Sequence, residues 1–208
     1  MDNQYLVRRM RIQADVRFGD NILLVIQPSF EMGSLRMRDA YLRVGLARGL
    51  GLTMGQEKSP FQRYALTSAN NLLSIERGVV SSGLRLQQEA MNNLVVANGY
   101  GSHDLGAFFD YATPNTRFAI KAGMQGGSRE STRDVNNAKS YFARATGTVL
   151  VNAEDQPVLQ VGASFAARDR AICNPVPSSC TSSATTAKTF YTDSSKMTTA
   201  IGLDFELG

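Results

Sequence analysis

At 208 residues the chain is long enough for one all-β domain, and its longest apolar runs, such as residues 22–26, fall far short of the ~20 residues that a membrane helix needs, which excludes a helical span. Hydrophobic residues make up 43% and mean hydropathy is −0.19, a balance shared by soluble proteins and by outer-membrane barrels, in which only alternate residues touch lipid. A net charge of +4 and a pI of about 9.2 favour an anionic partner, but the basic residues are spread along the chain rather than clustered, which argues against nucleic acid.

Residues 1–4 lead straight into a strand, with no apolar signal core, so an exported form would have lost its leader by processing or truncation. Residues 5–18 set the pattern for the rest. Met10, Ile12, Ala14, Val16 and Phe18 alternate with Arg9, Arg11, Gln13, Asp15 and Arg17, a strict period of two with a polar face rich in arginine. Either a sheet on a soluble core or the wall of a membrane barrel fits that stretch alone. Gly19-Asp20 turns the chain, and residues 21–32 alternate again, with Leu23 and Val25 as exceptions. Pro28 predicts an irregularity there, since it brings no N–H to a ladder. After Gly33-Ser34, residues 35–46 point Ala40, Leu42, Val44 and Leu46 to one side and Asp39, Tyr41, Arg43 and Gly45 to the other. Arg36 and Arg38 interrupt the apolar face and are expected beyond the hydrocarbon, at the strand end, because arginine at a bilayer midplane costs roughly 2–4 kcal/mol. Leu50, Leu52 and Met54 begin a fourth strand.

Alternation then stops over residues 57–89, a long excursion of the kind that carries function and that in a barrel can fold inward and narrow the channel. Further strands are expected over residues 91–100, 116–125, 139–150, 158–168 and 198–207, giving about nine in all. The even-numbered connections contain residues 57–89, 126–138 and 169–196, all three long. The odd ones are short except residues 101–115, and short inner turns with long outer loops are the rule for membrane barrels. Phe18, Phe30, Phe118 and Tyr141 fall near strand ends on the apolar side, where interfacial girdles sit. Nine is odd and would leave two open edges, so the reading is an incomplete barrel: a single 1–208 barrel domain that is part of a larger one.

Four pieces of the first third, RRMRIQADVRFGDN from Arg8, RDAYLRVG from Arg38, MGQEKSPF from Met54 and LTSANNLLSIERG from Leu66, resemble the phosphate-selective porin family, the porins O and P, in order and composition. NNAKSYFARATGTVL from Asn136 is similar but less distinctive. The resemblance implies a trimeric antiparallel barrel of about sixteen strands in a Gram-negative outer membrane, surrounded by lipid, with a basic pore passing phosphate or related anions.

Read from the residues, the lumen-facing cations are Arg9, Arg11, Arg17, Arg43, Arg117, Lys121 and Arg144, with Lys58 and Arg63 at a constriction beside Pro60-Phe61. Arginine suits phosphate because its planar fork donates to two oxygens at once. The bland reading makes each an ordinary wetted wall residue balanced by Asp15, Glu31 or Asp39. Cys173 and Cys180, in CNPVPSSC, are spaced for a small loop disulfide in an oxidising compartment, or are two unrelated thiols. The lone His103 sits in GSHDLG, read as a loop; no serine stands in a nucleophile context and no metal or cofactor set is visible, so an enzyme is not expected. Passive diffusion of small anions is the first function. The second is a plugged structural or surface-binding barrel, whose Ser/Thr-rich outer loop at 169–196 does the work.

Overall fold

A computed structural model describes residues 9–31, 33–66, 80–81, 84–85, 100, 103–126, 139–169 and 197–207. In chain order the strands are β1 (Arg9–Arg11), β2 (Ala14–Phe18), β3 (Ile22–Glu31), β4 (Ser34–Ala47) and β5 (Leu50–Lys58). One helical turn, α1 (Arg63–Leu66), and a two-stranded hairpin of β6 (Val80–Ser81) and β7 (Leu84–Arg85) follow. The chain continues through β8 (His103–Ala112), β9 (Phe118–Gln125), β10 (Ser140–Val151), β11 (Pro157–Asp169) and β12 (Met197–Leu207). All strands but the small hairpin form one antiparallel sheet in the order β1-β3-β4-β5-β8-β9-β10-β11-β12, with β2 also on β3. Among the described residues the first and last strands do not pair, and the sheet is open.

The gap between β1 and β2 has a local cause. Both pieces pair with β3 in one continuous register, Arg11 opposite Ser29 and Ala14 opposite Ile26, so they form one strand interrupted opposite Pro28. Pro28 has no N–H to give. On its other side the register with β4 jumps, Gln27 facing Asp39 but Pro28 facing Met37, and Arg38 is left as the extra residue of a bulge. The Gln56 side-chain amide donates to the carbonyl oxygens of Met37 and, at 3.0 Å, Arg38, and so satisfies acceptors that the ladder leaves open. The bulge corrects the expectation for Arg36 and Arg38. They do not lie on the apolar face at all: one extra residue reverses the alternation, putting Leu35 and Met37 outward beside Phe30 and turning Arg36 to the side of Ser29.

The fifth main strand also differs from expectation. Of residues 91–100 only Tyr100 is described, and the strand in that place is β8, which begins at the histidine read as part of a loop. Its alternation is masked in sequence because Phe108, flanked by Phe109, points to the inner face and is fully buried there. With β8 in place the connection to β9 shrinks to residues 113–117, and the long-connection exception disappears. Turns at 19–21, 48–49, 113–117 and 152–156 now share one end of the sheet. Gly19 and Gly49 adopt φ of +60° and +79° in two of them, which a side chain would resist.

The two faces are chemically separate. Met54, Phe109, Met124, Val161, Phe165, Ile201 and Leu203 belong to an outward face of large apolar residues that none of the described elements covers. Phe18, Tyr111, Phe118 and Phe205 ring its short-turn end, while Phe30, Tyr141 and Phe165 lie toward the other. What apolar core there is lies on the opposite, polar face, where Phe61 packs with Tyr100, Phe108, Phe142 and Ala166. A soluble protein does not expose such a face, whereas a barrel wall presents it to lipid. Ala145→Arg, outward at the middle of β10, is therefore expected to cost about 2–4 kcal/mol, and the inward neighbour Thr146→Arg less than about 1 kcal/mol. Urea unfolding of the full chain in lipid vesicles distinguishes them, and equal losses would remove lipid from the outer face.

Candidate functional site

The inner wall is built from long polar side chains lying flat across glycines. Arg43 of β4 reaches over Gly51 of β5 to Asp110 of β8, donating through Nε at 3.0 Å and through Nη2 at 2.5 Å. A Cβ on Gly51 would stand 2.7 Å from Nη2. Thr53 holds the same carboxylate at 3.1 Å. Gln125 of β9 crosses Gly106 of β8, donates to the Glu57 carbonyl on β5 at 3.0 Å and accepts from Ser59 Oγ at 2.7 Å. Arg144 of β10 crosses Gly162 of β11 to Asp204 of β12, with contacts of 2.6 and 2.7 Å, and donates to Ser164 at 2.7 Å. Each bridge ties strands two apart, and each needs the intervening position to lack a side chain.

Residues 59–66 fold onto this wall. Ser59 is fixed by Gln125, and Phe61 enters the aromatic cluster at 5.3 Å from the Tyr100 ring. Gln62, with φ of 54°, donates its N–H to Ser164 Oγ at 3.2 Å, over the bare backbone of Gly202, where a Cβ would meet its side chain at 2.8 Å. The Arg63 N–H donates to Asp204 at 3.1 Å, and its guanidinium reaches Gln160 at 3.2 Å and pairs with Glu206. The segment thus runs from the end of β5 across the inner face to β11 and β12. Between it and the wall lies a cleft of about 410 Å³, lined by Pro60 and Leu66 on one side and by Tyr41, Glu57, Lys121 and Thr146 on the other.

The cations singled out in the sequence are not equivalent. Arg43 and Arg144 are held in the bridges just described, and Arg144 is 7% exposed. Lys121 pairs with Glu57 and stands 5.2 Å over the Phe108 ring. Arg11 donates to Glu31 at 3.0 Å, and Glu31 also takes Arg38, so one carboxylate serves two arginines. Arg9 opens β1 opposite Glu31. Lys58 closes β5 opposite His103, which lies 3.7 Å from Asp39. Arg17 lies exposed on β2 and has no carboxylate partner among the described residues. Arg117 stands in the turn before β9 and pairs with Asp155 at 2.5 Å. Arg63 belongs to the folded-in segment. Cys173 and Cys180, and most of the excursion at 57–89, lie outside the described residues.

Sequence reading passed over the acceptors: Asp110, Asp204, Gln125 and Ser164. Their partners sit two strands away, a relation that no local spacing shows. Asp204→Asn would strand the buried Arg144 charge and loosen residues 62–63. A stability loss of about 2–4 kcal/mol is expected, since removing one partner of a buried pair leaves the other unpaid for in solvation. Single-channel conductance should rise at the same time. An unchanged urea midpoint together with unchanged conductance would show that this contact holds neither the wall nor the segment.

Searches of curated proteins and of solved structures find no match. The family model described as phosphate-selective porin O and P matches residues 1–180. With an all-β antiparallel sheet, an uncovered apolar face and a polar inner wall, the chain belongs to the phosphate-selective porin O and P family.

Proposed function

We propose that the chain forms the wall of an outer-membrane channel through which small anions, phosphate among them, diffuse passively. The observation that carries this reading is the family match over residues 1–180, together with the arginines and lysines set along the polar face of the sheet. At the long-loop end Arg11 and Arg38 share Glu31, and Arg36 and Lys58 lie at the same end. An anion leaving water must exchange part of its hydration shell for donors, and binding must stay weak enough for release. Guanidinium groups already engaged by a carboxylate still keep N–H donors to offer, but with less net field. Arg11 and Arg38 at Glu31, and Lys121 and Arg43 further along, are paired cations that supply donors with little trapping power. Location in a Gram-negative outer membrane and assembly as a trimer belong to the same reading and rest on family membership and resemblance.

The test is a reversal potential across a planar bilayer under a KCl gradient, with phosphate then titrated, using the full chain. An anion-selective current reduced by phosphate is expected. Arg38→Ala should lower the anion-to-cation permeability ratio about fivefold, the weight of about 1 kcal/mol for one charge near the path in a wet setting. Cation selectivity overturns the reading, and absence of current favours a plugged barrel whose outer loops carry the function.

A further inference from the structure

The cleft beneath residues 59–66 has a different chemistry from the long-loop end. Its wall carries the carboxylates Asp39, Glu57 and Asp110 together with Lys58 and Lys121. Arg144 also lines it, but its charge is matched by Asp204, and Asp110 is matched by Arg43. Among the described residues of the lining, acidic and basic side chains are equal in number, a poor match for a multiply charged inorganic anion.

Glu57 adds a second, independent observation. Its side chain is 9% exposed; one oxygen takes Lys121, and the other, Oε1, accepts no hydrogen bond among the described residues. That oxygen is closed to solvent where it stands, so a donor in the cleft reaches the carboxylate by turning it from Lys121. Among the described residues the acidic side chains do not gather into a metal-ligand set, and a 410 Å³ space is far larger than an ion requires. It is the size of a small-molecule site.

We infer that this cleft is a station for a small zwitterion, a molecule carrying both an ammonium and an acidic group. The ammonium, with three N–H donors, goes to Glu57 and Asp39, and the acidic group to Lys58 and Lys121. Lys121 is poised for this by its place over Phe108. The inference rests on the channel reading given above, and extends it to solutes that inorganic-anion selectivity would not include.

The test compares fluxes of 2-aminoethyl phosphate, ethyl phosphate and inorganic phosphate into liposomes carrying the full chain. The first two differ only in the ammonium. Glu57→Gln should lower the aminoethyl-to-ethyl phosphate flux ratio about fivefold, the effect of removing one charge at close range. Ethyl phosphate flux should stay at or above that of the unaltered chain, because Lys121 is released. Glu57→Asp should restore part of the ratio. A ratio unmoved by Glu57→Gln overturns the zwitterion station while leaving the anion channel standing. Absence of all three fluxes in the unaltered chain overturns both. If Glu57→Gln fails to insert, Asp39→Asn supplies the same comparison, with the same fall expected and an unmoved ratio again decisive against the station.

Discussion

The wall depends on a constraint of space: a long polar side chain can reach a partner two strands away only if the strand between presents no side chain. Three such bridges recur along the sheet, Arg43 over Gly51, Gln125 over Gly106 and Arg144 over Gly162. Glycine inside a strand ordinarily weakens it, because it packs nothing and loses more freedom on folding. Here the neighbour's guanidinium or amide fills the vacancy, so the cost is offset by a hydrogen bond that would otherwise have no route. The same bridges fix residues 59–66, since Gln125 and Asp204 each hold a wall strand and the folded segment at once.

The outer face depends on keeping alternation in phase over long strands. Pro28 breaks the ladder, and an unaltered register beyond it would have turned Arg36 and Arg38 toward lipid. The bulge at Arg38 absorbs the irregularity and brings apolar residues back outward. One imperfect residue is thus matched by one extra residue on the neighbouring strand. The inner wall gains from the exchange, because the displaced arginine finds Glu31 there.

Much of the fold was legible in sequence because lipid and water impose a period of two that each strand repeats. Strands β3, β4, β9, β10 and β11 fall within a few residues of their expected places, and Pro28 announced its irregularity. The strand at 103–112 was hidden for a definite reason. Its inward Phe108 serves the aromatic cluster under the folded segment, so it violates the polar-inside rule that the alternation assumes. In the site, the inward direction of Arg43, Lys121 and Arg144 could be read from alternation. Their partners could not. Asp110 and Asp204 are 67 and 60 residues away, and only the strand order brings them together.

The flat bridges have a consequence for range. An arginine laid against its carboxylate is a dipole lying along the wall, and the field of a dipole fades with distance faster than that of a lone charge. In the proposed channel, a solute at mid-lumen would barely sense Arg43 or Arg144, whereas one brushing the wall would meet both poles. Discrimination along this part of the wall is therefore a matter of touch. Attraction at a distance would there be left to cations outside such pairs, such as Arg17 on β2.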